Sequence, residues 1–351
     1  NELKNADLKP ERLNAFEVGS EIWLYKNRLQ FDVSAYQNTS INQIIGRPIS
    51  QAAGFASIIE NGGEVRTQGL ELRLSGTIVK TEKFKWNSSV NFSTYRSEVT
   101  KLPEGVDQYV TGTASFFAGG GGSNTVFYIA SEGGRVGDMY GTGFVKVNGE
   151  ILYENGLPVQ DDELRLLGNY NPDFSMGFNN QFSYGAFTVG VLVDWRYGGI
   201  FVSRTKALGS TSGVLEETLE GREGGIVGDG VMNIGTDANP QYVPNDVNVQ
   251  ASSYYNAFYD RGNEESAIYD ASYVKLRQVS IYYEIPEKLC KKIGFQNMKV
   301  GFVGSNLLLF TENPHVDPEL NGFQDRNITY GVEDMSYPST RSFGFSLKTS
   351  F

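Results

Sequence analysis

Apolar and polar side chains alternate with a period of two along most of this chain, and helical periodicity is scarce. The clearest segment is 187–197, FTVGVLVDWRY. Odd positions carry Phe187, Val189, Val191, Val193, Trp195 and Tyr197; even positions carry Thr188, Gly190, Leu192, Asp194 and Arg196. One face is therefore apolar over about eleven residues, the length of a tilted strand that crosses a bilayer, with an aromatic residue at each end where an interfacial girdle would lie. The last segment behaves alike. Phe343, Phe345, Leu347 and Phe351 share one face with Thr349 as its polar member, and Ser342, Gly344, Ser346, Lys348 and Ser350 share the other.

The same pattern predicts strands at 16–25, 28–45, 64–78, 85–99, 125–131, 135–147, 174–184, 187–197, 273–285, 298–311 and 341–351, about eleven in all. The segment 125–131 barely alternates, and in 273–285 the apolar phase shifts at Gln278–Val279, which predicts a bulge. Links alternate in length. Short ones fall at 26–28, 79–84, 132–134, 184–186 and 286–297, long ones at 46–63, 100–124, 148–173, 199–272 and 312–340. Short turns at one end and long loops at the other predict an all-β, transmembrane antiparallel barrel with periplasmic turns and extracellular loops. Its strands must pair all round, because an open edge in hydrocarbon leaves backbone groups without partners. An odd number of strands does not close such a barrel, so the remaining strands are expected before residue 1, and 1–351 is read as a single domain, the C-terminal half of the barrel.

Composition narrows the chemistry. Forty-one glycines against eleven prolines fit a turn-rich β protein. A formal charge of −11 disfavours nucleic acid and a polybasic membrane-surface protein. One cysteine, Cys290, and one histidine, His315, exclude a disulfide framework, the usual catalytic triads and a typical zinc site. No catalytic residue, metal site or cofactor is expected. Calcium at the acidic stretch 158–165, PVQDDELR, is an alternative to a solvated acidic loop, but its spacing fits no calcium loop. The run FFAGGGG at 116–122 lacks the Lys-Ser/Thr of a phosphate loop and reads as a flexible loop. The stretch 227–237, VGDGVMNIGTD, lacks the closing Glu of a calcium loop and reads as a turn.

Several blocks, in order, resemble the SusC-like (SusC/RagA) TonB-dependent outer-membrane transporters of Bacteroidetes-type bacteria. They are NADLKPERLNAFEVGSE (5–21), NGGEVRTQGLELRLSGTIVKTEKFKWN (61–87), LLGNYNPDFSMGFNNQFSYGAFTVGVLVDWRYGG (166–199), IYDASYVKLRQVSIYYEIP (268–286), VGSNLLLFTENPHVDPELNG (303–322) and the closing YPSTRSFGFSLKTSF. The resemblance implies a full barrel of about 22 strands and import of oligosaccharides or peptides across the outer membrane of a Gram-negative bacterium. It further implies a SusD-like surface lipoprotein as partner, energy from TonB-ExbB-ExbD through an N-terminal plug, and a dimer of SusCD pairs. No nucleic acid and no enzyme activity belong to that picture. A siderophore or vitamin receptor on the same barrel, or a passive porin or adhesin, are the alternatives.

Two groups of residues are candidates within this frame. Asp194, Arg196, Lys275, Arg277 and Lys348 lie opposite the apolar faces of their strands, so they are expected to point into the lumen, pairing with other groups or lining the substrate path. Tyr254, Tyr255, Phe258 and Tyr259, in the stretch SSYYNAFYDRGN, are expected to stack on cargo, on the partner lipoprotein or on neighbouring loops, since an aromatic ring with a polar tip suits all three.

Overall fold

The computed structural model describes residues 2–50, 52, 54–115, 125–260, 262–324 and 327–350. Nine strands form one continuous antiparallel sheet, each paired with its neighbours in chain order. They are β1 (Arg12–Leu24), β2 (Leu29–Ile41), β3 (Glu64–Lys80), β4 (Phe84–Lys101), β5 (Phe174–Tyr184), β6 (Phe187–Tyr197), β7 (Tyr273–Glu284), β8 (Asn297–Phe310) and β9 (Ser342–Ser350). Short links at 25–28, 81–83, 185–186 and 285–296 alternate with long ones at 42–63, 102–173, 198–272 and 311–341. All the short links therefore lie at one end of the sheet. The β5–β6 turn needs Gly185, whose φ of 54° is left-handed backbone that a side chain disfavours.

Register turns the period-two pattern into two chemically opposite faces. One cross-strand row runs Val33, Leu72, Phe92, Met176, Trp195, Val274, Phe310. The adjacent row, on the other face, runs Asp32, Arg73, Asn91, Gly177, Asp194, Lys275. The apolar face continues to β9, where Phe345 is 92% exposed and lies edge-on to Phe302, at 5.6 Å between ring centres. This is the surface that meets lipid. Aromatic residues mark both of its borders. Phe84, Tyr184, Phe187 and Tyr283 are successive partners at the short-turn end, and Phe174 stacks on Tyr197 at 5.2 Å at the loop end. The one polar side chain that β5 places on this face, Asn180, accepts a 3.0 Å hydrogen bond from the Trp86 indole, which satisfies an oxygen that hydrocarbon could not.

The expectation of eleven barrel strands is not met. Segments 125–131 and 135–147 lie outside the nine-stranded sheet. Thr125–Ser131 and Asp138–Phe144 pair with each other and with Gln108–Ser115 and Gln160–Asn169 in a separate four-stranded sheet within the long link 102–173. Each of the two has only 7 residues, too short to cross a bilayer at a strand's tilt, and each buries side chains on both faces. The link 132–134 is correspondingly not a turn at the short end. Gly133 N donates to Val99 O at 2.8 Å and Val99 N donates to Gly134 O at 2.9 Å, which fastens it to the loop end of β4. This loop sheet contributes Ala114, Val126 and Met139 to a small buried core that Val202, Ala267 and Val332 complete. The run 116–122 and Phe351 contain or are positions outside the described residues.

Unequal costs are expected from a charge placed on the two faces. Val193→Arg, in the apolar row, should cost about 2–4 kcal/mol of folding stability in lipid, and Asn179→Arg, on the polar face, about 1 kcal/mol or less. Denaturant titration of refolding into bilayers checks this; equal costs would contradict the assignment of faces.

Candidate functional site

The polar face carries its densest charge near the loop end of β6 and β7. The alternation of β6 brings Asp194 and Arg196 to this face, and register sets Asp194 opposite Lys275 and Arg196 opposite Tyr273. A bulge then re-aims β7. Both pairings of that strand step over Arg277; against β6, Leu192 and Val193 face Gln278 and Leu276, so Arg277 is the extra residue there. The bulge lies one to two residues before the phase shift in the sequence, and it allows Lys275, Arg277 and Gln278 to share the polar face while Leu276 stays on the apolar one.

The link 311–341 supplies the counter-charges. Asn313 Oδ1 accepts from His315 N at 3.0 Å, and Asp317 Oδ1 accepts from Glu319 N at 3.0 Å, so the stretch NPHVDPEL is tied into turns by its own side chains. These turns hold Asp317 and Glu319 against the wall. Lys275 Nζ, on a residue 4% exposed, donates to Asp317 at 2.7 Å and also to Glu319. Arg277 grips Glu319 with both terminal nitrogens, Nη1 at 2.6 Å from Oε2, and donates through Nε to Asp194. Tyr273 adds its hydroxyl to Glu319 at 2.7 Å. Burial alone would raise the pKa of Glu319. The hydrogen bonds from Arg277, Lys275 and Tyr273 overcome it and hold the carboxyl at about 2.

Asp194, Lys275 and Arg277 are thus brought together. Arg196 joins the same wall but not the ion pairs: its Nη2 donates to Tyr170 O at 2.6 Å, and its buried Nε has no partner among the described residues. Beside the network a trough of about 740 Å³ runs along the wall, lined by Asp32, Glu71, Arg73, Asn91, Arg196 and Glu319 among others. Lys348 lies far from this patch, on the polar face of β9 opposite Lys299.

The four aromatic candidates occupy a different place. Helix α1 (Arg204–Thr211) and helix α2 (Ala251–Phe258) fold within the link 198–272. Tyr254, Tyr255 and Phe258 lie on α2, and Tyr259 caps it. They stack on one another, Tyr254 on Phe258 at 5.5 Å and Tyr255 on Tyr259 at 6.4 Å, while Phe258 also packs on Phe144 at 4.7 Å. Tyr255 donates to Glu217 O at 2.8 Å. Burial raises the pKa of all three tyrosines. Their rings hold the loop layer together.

The remaining polar motifs are occupied locally. Asp161 pairs with Arg165, and Arg165 Nη1 also approaches Glu265 at 3.6 Å. Among the described residues no group of three or more His, Cys, Asp and Glu could hold a metal ion. His315 Nε2 lies 3.4 Å from Glu217, and Cys290 is buried in the link 285–296.

Sequence reasoning missed Glu319, Asp317 and Tyr273 as parts of this site. Their signal was charge balance: two cations on one strand of a lumen wall require acidic partners, and the acidic turn HVDPEL is the next long link.

The network gives two expectations. Lys275→Met leaves Asp317 buried without its cation and should destabilise the docked link by about 3–5 kcal/mol, read as faster hydrogen exchange across 312–322 with β-sheet content retained. Because the folded pKa of Glu319 lies below its ordinary 4.5, its contribution is complete above about pH 4.5 and is lost as pH falls toward about 2. Protection of the same segment, expressed against the intrinsic exchange rate at each pH from 6 to 2, should fall in the wild type and be nearly flat in Glu319→Gln.

Residues 1–307 match the family described as TonB dependent receptor-like, beta-barrel. Among curated proteins the chain is 26% identical over 376 residues to TonB-dependent receptor P3 of Formosa agariphila, covering 100% of this chain and 35% of that protein. It is 24% identical over 411 residues to TonB-dependent receptor P39 of the same organism, covering 100% of this chain and 36% of that one. The chain thus spans about a third of the length of these relatives. Its fold is similar to solved structures of the RagAB peptide importer in the closed-closed state, with a TM-score of 0.70, 19% identity and coverage of 99% of this chain and 36% of that one. The open-open state gives the same TM-score, 0.70. The two-faced sheet, its one-sided turns and this family match together establish that the chain belongs to the TonB-dependent receptor β-barrel family of outer-membrane transporters and receptors, which are not enzymes.

Proposed function

We propose that the chain is the C-terminal barrel part of a SusC-like importer that carries oligosaccharides or peptides across the outer membrane of a Gram-negative bacterium. The observation that carries this reading is the nine-stranded sheet with an apolar face and, on the opposite polar face, an open charged trough of about 740 Å³. A wall of this kind binds polar cargo without bond chemistry. Both signs of charge and several hydroxyl groups line the trough, which suits zwitterionic peptides and hydroxyl-rich sugars.

In this scheme the rest of the protein supplies an N-terminal plug through which TonB-ExbB-ExbD delivers energy, and a SusD-like lipoprotein closes the loop end. Arg196 and Asp194 line the path, and the α2 aromatics brace the loop layer that meets the lipoprotein or the cargo. The RagAB structures, described as those of a peptide importer, support peptide as one cargo class. A dimer of such transporter–lipoprotein pairs completes the assembly.

Deleting the full-length gene should abolish growth on the cognate peptide or oligosaccharide, and wild-type protein isolated from native membranes should bring a surface lipoprotein with it. Uptake that persists when the proton-motive force is collapsed would identify a passive pore instead. Isolation without any lipoprotein, together with uptake of a metal chelate or vitamin, would identify a receptor of the other kind. Replacing Tyr254, Tyr255, Phe258 and Tyr259 by Ala should impair uptake or complex formation; wild-type levels of both would remove that loop from the scheme.

A further inference from the structure

The chain's acidity conceals a local reversal of sign. The net charge is −11, yet the four short links together carry six basic residues, Lys26, Arg28, Lys83, Lys288, Lys291 and Lys292, against two acidic ones, Glu82 and Glu287. The fourth link, Gly185–Ala186, is flanked by exposed Tyr184 and Phe187. At this end cations therefore sit immediately beyond the aromatic border of the lipid-facing band. Surface charges farther than about 8–10 Å are largely screened at physiological salt, so the acidic loops at the opposite end do not cancel this potential.

The link 285–296 adds a second, independent feature. It contains a short helix, α3 (Glu287–Lys292), whose Cys290 is 0% exposed and donates through Sγ to Ile285 O at 3.4 Å, just past the end of β7. Leu289 and Ile293, four residues apart and hence on one side of the turn, are 52% and 59% exposed. Lys288 and Lys292, also four apart, flank them. Lys291 is paired with Glu287, whereas Lys288 and Lys292 form no ion pair among the described residues. An exposed aliphatic pair edged by unpaired lysines, at the border of a lipid-facing band, is the arrangement of a segment lying in a headgroup layer.

We propose that α3, with the turns 25–28 and 81–83, anchors anionic phospholipid in the leaflet at the short-turn end. Leu289 and Ile293 enter the boundary between headgroups and acyl chains, and Lys288 and Lys292 meet the phosphate-bearing headgroups, with Lys26 and Lys83 extending the contact along the rim. The proposal rests on the membrane-spanning barrel and is independent of what the protein carries.

The test uses the full-length protein in nanodiscs of phosphatidylcholine mixed with phosphatidylglycerol, with co-isolating lipid counted by mass spectrometry after detergent extraction. Wild-type protein should retain phosphatidylglycerol above its bulk fraction, and raising the salt should erode the enrichment. Lys288→Glu combined with Lys292→Glu should lower the enrichment by roughly tenfold or more. The neutral pair Lys288→Gln and Lys292→Gln should lower it by less. Leu289→Ser with Ile293→Ser should reduce total lipid retained while leaving the choice of headgroup unchanged. Heat-modifiable gel migration verifies a folded barrel in each variant. Retention at the bulk ratio by wild type, or unchanged enrichment in both lysine variants, overturns the proposal. So does full competition by free glycerol phosphate, which would mark a soluble-anion site. Failure of wild-type protein to fold in any bilayer would instead overturn the membrane-spanning barrel itself.

Discussion

A backbone that crosses hydrocarbon has no water to bind its N–H and C=O groups, and each group left unpaired costs several kcal/mol. The nine-stranded sheet answers that requirement with pairing that runs unbroken from β1 to β9. Other features follow from it. The strands are antiparallel because tight turns connect them; side chains alternate because the pleat does; irregular backbone is displaced to the long links, where water is present. Departures from regular register are few and positioned, at Glu64/Val65, around Ile78 and at Arg277.

With the backbone paired, side-chain chemistry divides by face. The outer face accepts Phe345 at almost full exposure because lipid, not water, surrounds it. The inner face tolerates Asp194, Lys275 and Arg277 because each has an opposite charge within hydrogen-bond reach. A buried cation without its carboxylates would be costly, so Lys275 needs the link 311–341 folded against the wall. The same contacts that neutralise the wall therefore position the long link 311–341, which couples the shape of the loop end to the chemistry of the polar face.

Much of this was legible in the sequence. The period of two identified the transmembrane strands, including the Phe187–Tyr197 strand to the residue, because a lipid-facing strand imposes alternation over its whole length. The phase shift in β7 announced a bulge within one or two residues. Link lengths separated the short-turn end of the sheet from its loop end, and the placement of Asp194 and Arg196 on the polar face followed from alternation alone. The segments at 125–131 and 135–147 were misjudged because a strand buried on both faces has no amphipathic signature, and seven apolar-leaning residues look the same in a loop sheet and in a barrel.

By itself, then, the sequence determined the class of the fold, the two faces of its strands and the family, since these depend on local periodicity and on ordered blocks of residues. Only the tertiary structure decided which strands belong to the barrel, that Glu319 and Asp317 meet Lys275 and Arg277 some 40 residues away, and that Tyr254, Tyr255, Phe258 and Tyr259 spend their rings on one another. Those outcomes depend on where long loops return, and a loop's path is set by contacts between residues distant in sequence that no local period encodes.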